Sequence, residues 1–375
     1  MSVQRSSRAL LAALAGLLVL AACGSAPERK PAPLQTVTNQ TGIRPAWSAR
    51  LGSVEFPLNV ATVDNTFVVA STDGTVVSLQ AATGREVWRA NVGAPLAAGV
   101  GSDGKFSAVV TRNNELVVLN GGQVAWRERL NGRVLTAPLV AGERVFVVAV
   151  DRTVQAFDAL DGRKLWTQQR PSDALTLTQA SVVVPFKNNL LVGQGPRLTA
   201  IDPNNGSVKW DVPIATPRGA NEVERLADLV GPVARVGDVV CARSFQAGVG
   251  CVNADRGALL WNKVIGGNDG IAADTDNVYG ADASDRITAW RTTSGEVAWT
   301  SDRYVFRGLT APLVNAKAVM FGDSEGMVHL LSRTSGEAVG RVATDGSPVV
   351  ATPVALGGVM LVVTRSGSLT AFTIE

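Results

Sequence analysis

From about residue 57 to the C-terminus the chain is a succession of short apolar runs, cut at close intervals by Asn, Asp and Gly. Within the runs apolar and polar positions tend to alternate, which is the pattern of strands with one buried face and not the three-to-four-residue spacing of a helix. The unit around residue 150 shows it most clearly. Thr136–Val140, Arg144–Ala149, Val154–Asp158 and Lys164–Thr167 read as four strands, with turns at Asp151-Arg152 and Asp161-Gly162. Equivalent turns stand at Asp73-Gly74, Asn113-Asn114 and Gly326. Such residues tolerate the positive φ that tight hairpins require.

These units repeat. A glycine followed four residues later by tryptophan occurs as Gly84…Trp88, Gly122…Trp126, Gly162…Trp166, Gly206…Trp210, Gly257…Trp261 and Gly295…Trp299; Gly336 opens a seventh copy with Gly340 in the tryptophan position, and Trp47 stands alone ahead of the series. Successive tryptophan-equivalent positions are 41, 38, 40, 44, 51, 38 and 41 residues apart. A period near 40 is that of one four-stranded propeller blade. Eight first strands are expected, beginning near Pro57, Pro95, Thr136, Ala180, Val230, Gly270, Thr310 and Val350. The last unit ends at Glu375 after three strands, whereas Ala46–Arg50 supplies a strand with no blade before it. The expected fold is therefore all-β: an eight-bladed β-propeller of four-stranded antiparallel blades over residues 43–375, its last blade closed by the N-terminal strand, which removes the open edges. Seven blades is the rival count, because the unit around Leu190–Asp211 is the least regular. One tryptophan at the same place in nearly every blade reads as a packing device between neighbours and not as a ligand platform; Trp290, out of register, reads as local packing.

The first 42 residues follow a different pattern. Met1–Arg8 carries Arg5 and Arg8 with no acid, Ala9–Ala22 is an unbroken run of small and aliphatic residues, and Cys23 follows. Such a run is shorter than the roughly 20 residues a membrane-spanning helix needs, and with its basic start it reads as a secretory signal. Leu20-Ala21-Ala22-Cys23 resembles the bacterial lipobox, in which the cysteine becomes the lipidated first residue. Residues 1–22 are then a signal peptide and Cys23 the lipidation site. The residue after Cys23 is Gly24 and not the Asp associated with inner-membrane retention, which implies the outer membrane. Ser25 to about Gln40 is polar, with Pro27, Pro31 and Pro33, so 23–42 reads as an extended tether.

Composition narrows the chemistry. The formal charge is +3, about +1 once Arg5 and Arg8 are removed, and no Lys/Arg run offers a footprint for nucleic acid. A single histidine, His329, gives no basis for a His-rich metal site or a His-based triad; in the alternating run Met327–Ser332 it reads as a structural side chain. Gly248-Val249-Gly250 and Gly266-Gly267 are hairpin punctuation with no helix behind them to hold a phosphate. Cys241 and Cys251 flank a turn near Gln246-Ala247 and so stand nearly opposite on paired strands, where an oxidising compartment would allow a disulfide. Two cysteines alone do not make a metal site. The Gly-x-x-x-Trp repeat looks like the tryptophan-docking repeat of the pyrroloquinoline-quinone dehydrogenases, also eight-bladed, so a quinone oxidoreductase is the enzyme alternative. Those enzymes are longer and commonly carry an adjacent cysteine pair and acidic calcium ligands, features missing from this sequence. A polysaccharide-binding propeller is a third reading, for which two tyrosines, Tyr279 and Tyr304, are a poor aromatic complement. The expectation is a protein that is no enzyme and takes no cofactor or metal.

The spacings of 44 and 51 place extra residues after Trp166 and after Trp210, in two consecutive blade-to-blade links that must emerge on the same face. Long links of this kind are usually functional. The first, Gln168–Gln179, carries Leu175 and Leu177; the second, Thr216–Val230, contains Asn221 through Leu229 and suggests a short helix capped by Asn221. An apolar pair beside an acid–base cluster has the makeup of a docking patch. Here the whole chain resembles the BamB family, lipoprotein subunits of the outer-membrane β-barrel assembly machinery (the BAM complex). The residues carrying the resemblance are the lipobox, the Trp47 opening, the Gly-x-x-x-Trp series, the segment Glu222-Val223-Glu224-Arg225-Leu226-Ala227-Asp228 and Gly322-Asp323-Ser324-Glu325-Gly326. The resemblance implies a non-catalytic scaffold whose Leu-x-Leu loop and acidic loop dock the periplasmic POTRA repeats of the central barrel subunit, BamA. It also implies other BAM subunits as partners, with unfolded outer-membrane proteins as further candidates. Leu175, Leu177 and Asp228 match the family's contacting positions. Thr178 stands where the family has an interface arginine, and Val230 where it has a second aspartate; Glu222 and Arg225 are the candidates to replace that polar rim.

Overall fold

The computed structural model describes residues 30–170 and 175–374; Cys23 and the signal segment lie outside them. Within these residues thirty-two strands form eight separate four-stranded antiparallel sheets. Seven sheets are built from consecutive strands, spanning Ala61–Asn91, Gly101–Arg129, Leu139–Gln168, Val183–Pro213, Leu229–Lys263, Ala272–Ser301 and Leu313–Ala343, here blades one to seven. The eighth takes three strands from Val354–Ile374 and its outermost strand, Ile43–Arg50, from the other end of the chain, paired along Ser368–Ile374. The ring is thus closed as the unpaired strand at Trp47 requires. Among the described residues there is no α-helix.

Each sheet contacts its neighbours face to face, so the apolar core is divided among the junctions. There is one cluster of buried side chains at every one of the eight junctions. The second-to-third hairpin of every blade contains one left-handed residue, in order Gly74, Asn114, Arg152, Gly195, Gln246, Asp285, Gly326 and Gly367. In the first seven blades the pairing of the third and fourth strands shifts register just before the tryptophan position, as at Ser78/Leu79 and Ala156/Phe157. Such a bulge re-aims the following side chain. The ring that follows lies on the glycine of the next blade's third-to-fourth turn: a Cβ on Gly84 would sit 2.5 Å from Trp47, on Gly162 2.7 Å from Trp126, and on Gly336 2.4 Å from Trp299. Six of these indoles, those of Trp47, Trp126, Trp166, Trp210, Trp261 and Trp299, also donate to a carbonyl of that turn at 2.8–3.2 Å. The glycine and the tryptophan of the repeat therefore belong to partners in different blades. Gly340 departs from the pattern because the third and fourth strands of the eighth blade are far apart in sequence and no turn joins them; Asn39 and Thr41 pack over Gly340 instead.

The first strands are shorter than expected and begin a few residues later in seven blades, as at Ala61, Leu139 and Val354; in the fifth the strand begins at Leu229. Their leading residues converge on the axis, and in the second and eighth blades an isolated bridge precedes the strand, Leu96 with Thr111 and Val349 with Thr364. They line a central channel of about 770 Å³, bordered by Asn59, Thr136, Ala180, Asn268, Thr310 and Val350.

Candidate docking site on two blade connections

The two long connections are fastened to the ring at several points. At the base of the first, Arg170 makes a two-pronged ion pair with Asp211 of the fourth blade, Nη1 to Oδ1 and Nη2 to Oδ2, both 3.0 Å. Asp211 also accepts from Arg197 Nε at 2.6 Å and from the Thr199 hydroxyl at 2.8 Å. Burial alone would raise the Asp211 pKa, but the bonds from Arg170, Thr199 and Arg197 outweigh it and bring it down to about 2. Farther along, the Leu177 amide donates to Asp228 Oδ2 at 3.1 Å. The other oxygen of Asp228 receives Arg152 Nε at 3.0 Å and Nη2 at 2.9 Å. One carboxylate therefore joins both long connections to the left-handed hairpin residue of the third blade. The Asp228 carbonyl accepts the Phe245 amide, and Leu229 donates to Gly195, so the second connection ends stitched to the fourth and fifth blades.

This places the expected residues as follows. Leu175 is 40% exposed, Leu177 half-buried and Thr178 exposed. Glu222 and Arg225 are exposed on either side of Val223, itself 66% exposed. Leu177 and Asp228 are brought into direct contact. Asp228 is nearly buried and faces inward, so it holds the loops in place and leaves the outer surface to Leu175, Val223 and the residues around them. The expected short helix is a single turn over 222–225. Asn221 Oδ1 accepts the Glu224 amide at 2.9 Å, and the Glu224 carboxylate accepts the Ala220 amide at 2.7 Å. Beyond Leu226, which donates to Val223, Ala227–Leu229 must enter the innermost strand of the fifth blade. Its backbone bonds go to that sheet, and the helix cannot continue. Arg152, Arg170, Asp211 and Val223 were not singled out by the sequence. The one available signal was Arg152, an arginine at a turn position that other blades give to Gly, Asn, Asp or Gln.

Elsewhere, Cys241 and Cys251 are direct cross-strand partners with Cα atoms 4.0 Å apart, and their sulfurs are bonded. His329 is fully buried, its Nε2 2.8 Å from Asp323, and burial keeps its pKa below the usual value despite that carboxylate. Among the described residues no three His, Cys, Asp or Glu side chains are grouped to hold a metal.

Tryptophan-docked four-stranded blades with two elaborated, internally braced connections define an eight-bladed β-propeller of the tryptophan-docked class. A family model described as outer membrane protein assembly factor BamB matches residues 72–301. The outer membrane protein assembly factor BamB of Burkholderia pseudomallei is 34% identical over 379 residues, covering 99% of each chain, and that of Bordetella pertussis is 35% identical over 364, covering 95% of this chain and 94% of the other. The chain belongs to the BamB family. The crystal structure of BamB from Moraxella catarrhalis has the same fold, with a TM-score of 0.80 at 21% identity, covering 88% of this chain and 99% of that one. Membership assigns the protein a role in outer membrane protein assembly and an association with that membrane, as an assembly factor and not an enzyme.

Proposed function

We propose that the protein is a lipid-anchored scaffold that docks the POTRA repeats of BamA through the connections 169–182 and 214–228, and so assists insertion of outer-membrane proteins. The observation carrying this reading is the pairing of two adjacent long connections through one carboxylate, with Leu175 and Val223 left exposed beside Glu222 and Arg225. An apolar centre with a charged rim, on a braced support, suits a protein partner. Residues 1–22 are the signal peptide in this reading, and lipid on Cys23 holds the protein on the periplasmic face of the outer membrane. The test is affinity purification of the native lipoprotein beside Leu175→Ala plus Leu177→Ala. Wild type should retain BamA and the variant should lose it. Retention by the variant refutes the site, and absence from the wild-type sample refutes the partnership.

A further inference from the structure

The element Gly322–Gly326 has no part in the docking reading. It forms the second hairpin of the seventh blade, and its Asp323 is fully buried. Asp323 accepts from Arg307 Nε and His329 Nε2, both at 2.8 Å, and from the Met327 and Glu325 amides at 2.8 and 2.9 Å. Arg307, in the connection from the sixth to the seventh blade, has a side chain only 2% exposed and also pairs with Glu325. Its Nη1 donates to the carbonyl of Ala32 at 2.9 Å. A charge this deeply buried must have its donors satisfied, so the segment ahead of the first strand completes the site.

Further contacts run along the same segment. The Ala32 amide donates to Val305 at 2.9 Å, Arg303 Nη1 to Gln35 at 2.7 Å, the Arg341 amide to Asn39 at 2.8 Å and the Gln40 amide to Val339 at 2.8 Å. Leu34 packs on the core between the sixth and seventh blades. The second half of the expected tether is therefore laid across the rim of the seventh blade. Ala32 lies nine positions beyond Cys23, a reach of at most about 32 Å. In the eight-membered ring the third blade stands opposite the seventh.

We propose that Asp323 and Arg307, with residues 32–41, form a latch that fixes where the lipid-anchored N-terminus leaves the propeller, turning the seventh-blade rim toward the lipid surface and the third-blade rim away from it. This rests on the reading of Cys23 as the lipidation site. In the native lipoprotein, fluorophores are placed singly at the equivalent exposed positions Glu337 and Arg163 through an azide-bearing residue. The protein is then bound to phosphatidylethanolamine–phosphatidylglycerol vesicles carrying an acceptor lipid. Transfer should be stronger from position 337 than from 163; equal or reversed transfer overturns the proposal. In Leu34→Asp plus Gln35→Ala the two should converge, and a difference persisting unchanged in the folded variant overturns the latch. Should that variant fail to fold, hydrogen exchange of the wild type decides. The Ala32 and Gln40 amides should exchange at least about tenfold more slowly than free chain, and unprotected rates overturn the latch. If mass spectrometry finds no lipid on Cys23, the anchoring reading fails by itself. The latch is then tested with the chain beginning at Cys23 coupled through its thiol to a maleimide phospholipid.

Discussion

Replacing Asp228 by alanine would test whether the two long connections are one braced unit. The change removes the acceptor of two Arg152 bonds and of the Leu177 amide, all between 2.9 and 3.1 Å. The Arg152 and Asp228 side chains are only 13% and 12% exposed. Removing an acceptor this well buried costs more than losing a surface ion pair but less than breaking a fully buried one, about 2–3 kcal/mol. For a chain of this size that is a fall in Tm of about 3–5 °C. The local effect is more diagnostic. If the connection opens more easily by that energy, the Leu177 amide should exchange about 30- to 150-fold faster, while amides in the opposite blades keep their rates. Arg152→Ala should reproduce the effect, and the double variant should cost less than the sum of the singles by about 1–2 kcal/mol. Additive losses to within about 0.5 kcal/mol, or an unchanged Leu177 amide, would refute the clamp.

Three other outcomes follow from the geometry. Gly162→Ala, at φ 77° with its new methyl 2.7 Å from the Trp126 indole, should cost about 2–4 kcal/mol in denaturant unfolding. Gly142→Ala, at φ 57° with open space around it, should cost only about 1–2 kcal/mol. Asp211 titrates near 2 in the folded protein, below its unfolded value. Its contribution is therefore complete above about pH 4 and lost as the pH falls toward 2. Asp211→Asn should flatten that part of the stability–pH curve and cost about 1 kcal/mol at neutral pH, allowing for solvent screening. The Cys241–Cys251 bond closes a short loop, so Cys241→Ser plus Cys251→Ser should lower stability by about 2–3 kcal/mol. Neither thiol should react with an alkylating agent until the protein is reduced; two reactive thiols in the untreated protein would contradict the bond.

What the sequence determined by itself was what repeats locally. Strand alternation and left-handed turn residues depend on neighbours within one blade, and the tryptophan recurs once per blade, so the number of blades, and with it the strand at Trp47 left over to close the ring, were legible in the sequence. The lengths of two links likewise pointed to a working face. The tertiary structure decided which particular side chains meet across blades. Each tryptophan rests on the glycine of the following blade and not on the one four residues before it. Asp228, matched by resemblance as a contact residue, turns inward to Arg152, 76 positions away. The segment that reads as tether from its prolines and polarity is half docked, because the carbonyl of Ala32 meets a buried Arg307 lying 275 residues farther on. Periodicity records the contacts a strand makes with its own hairpin. The partner of a buried charge is set by how the ring closes, and no local pattern carries that information.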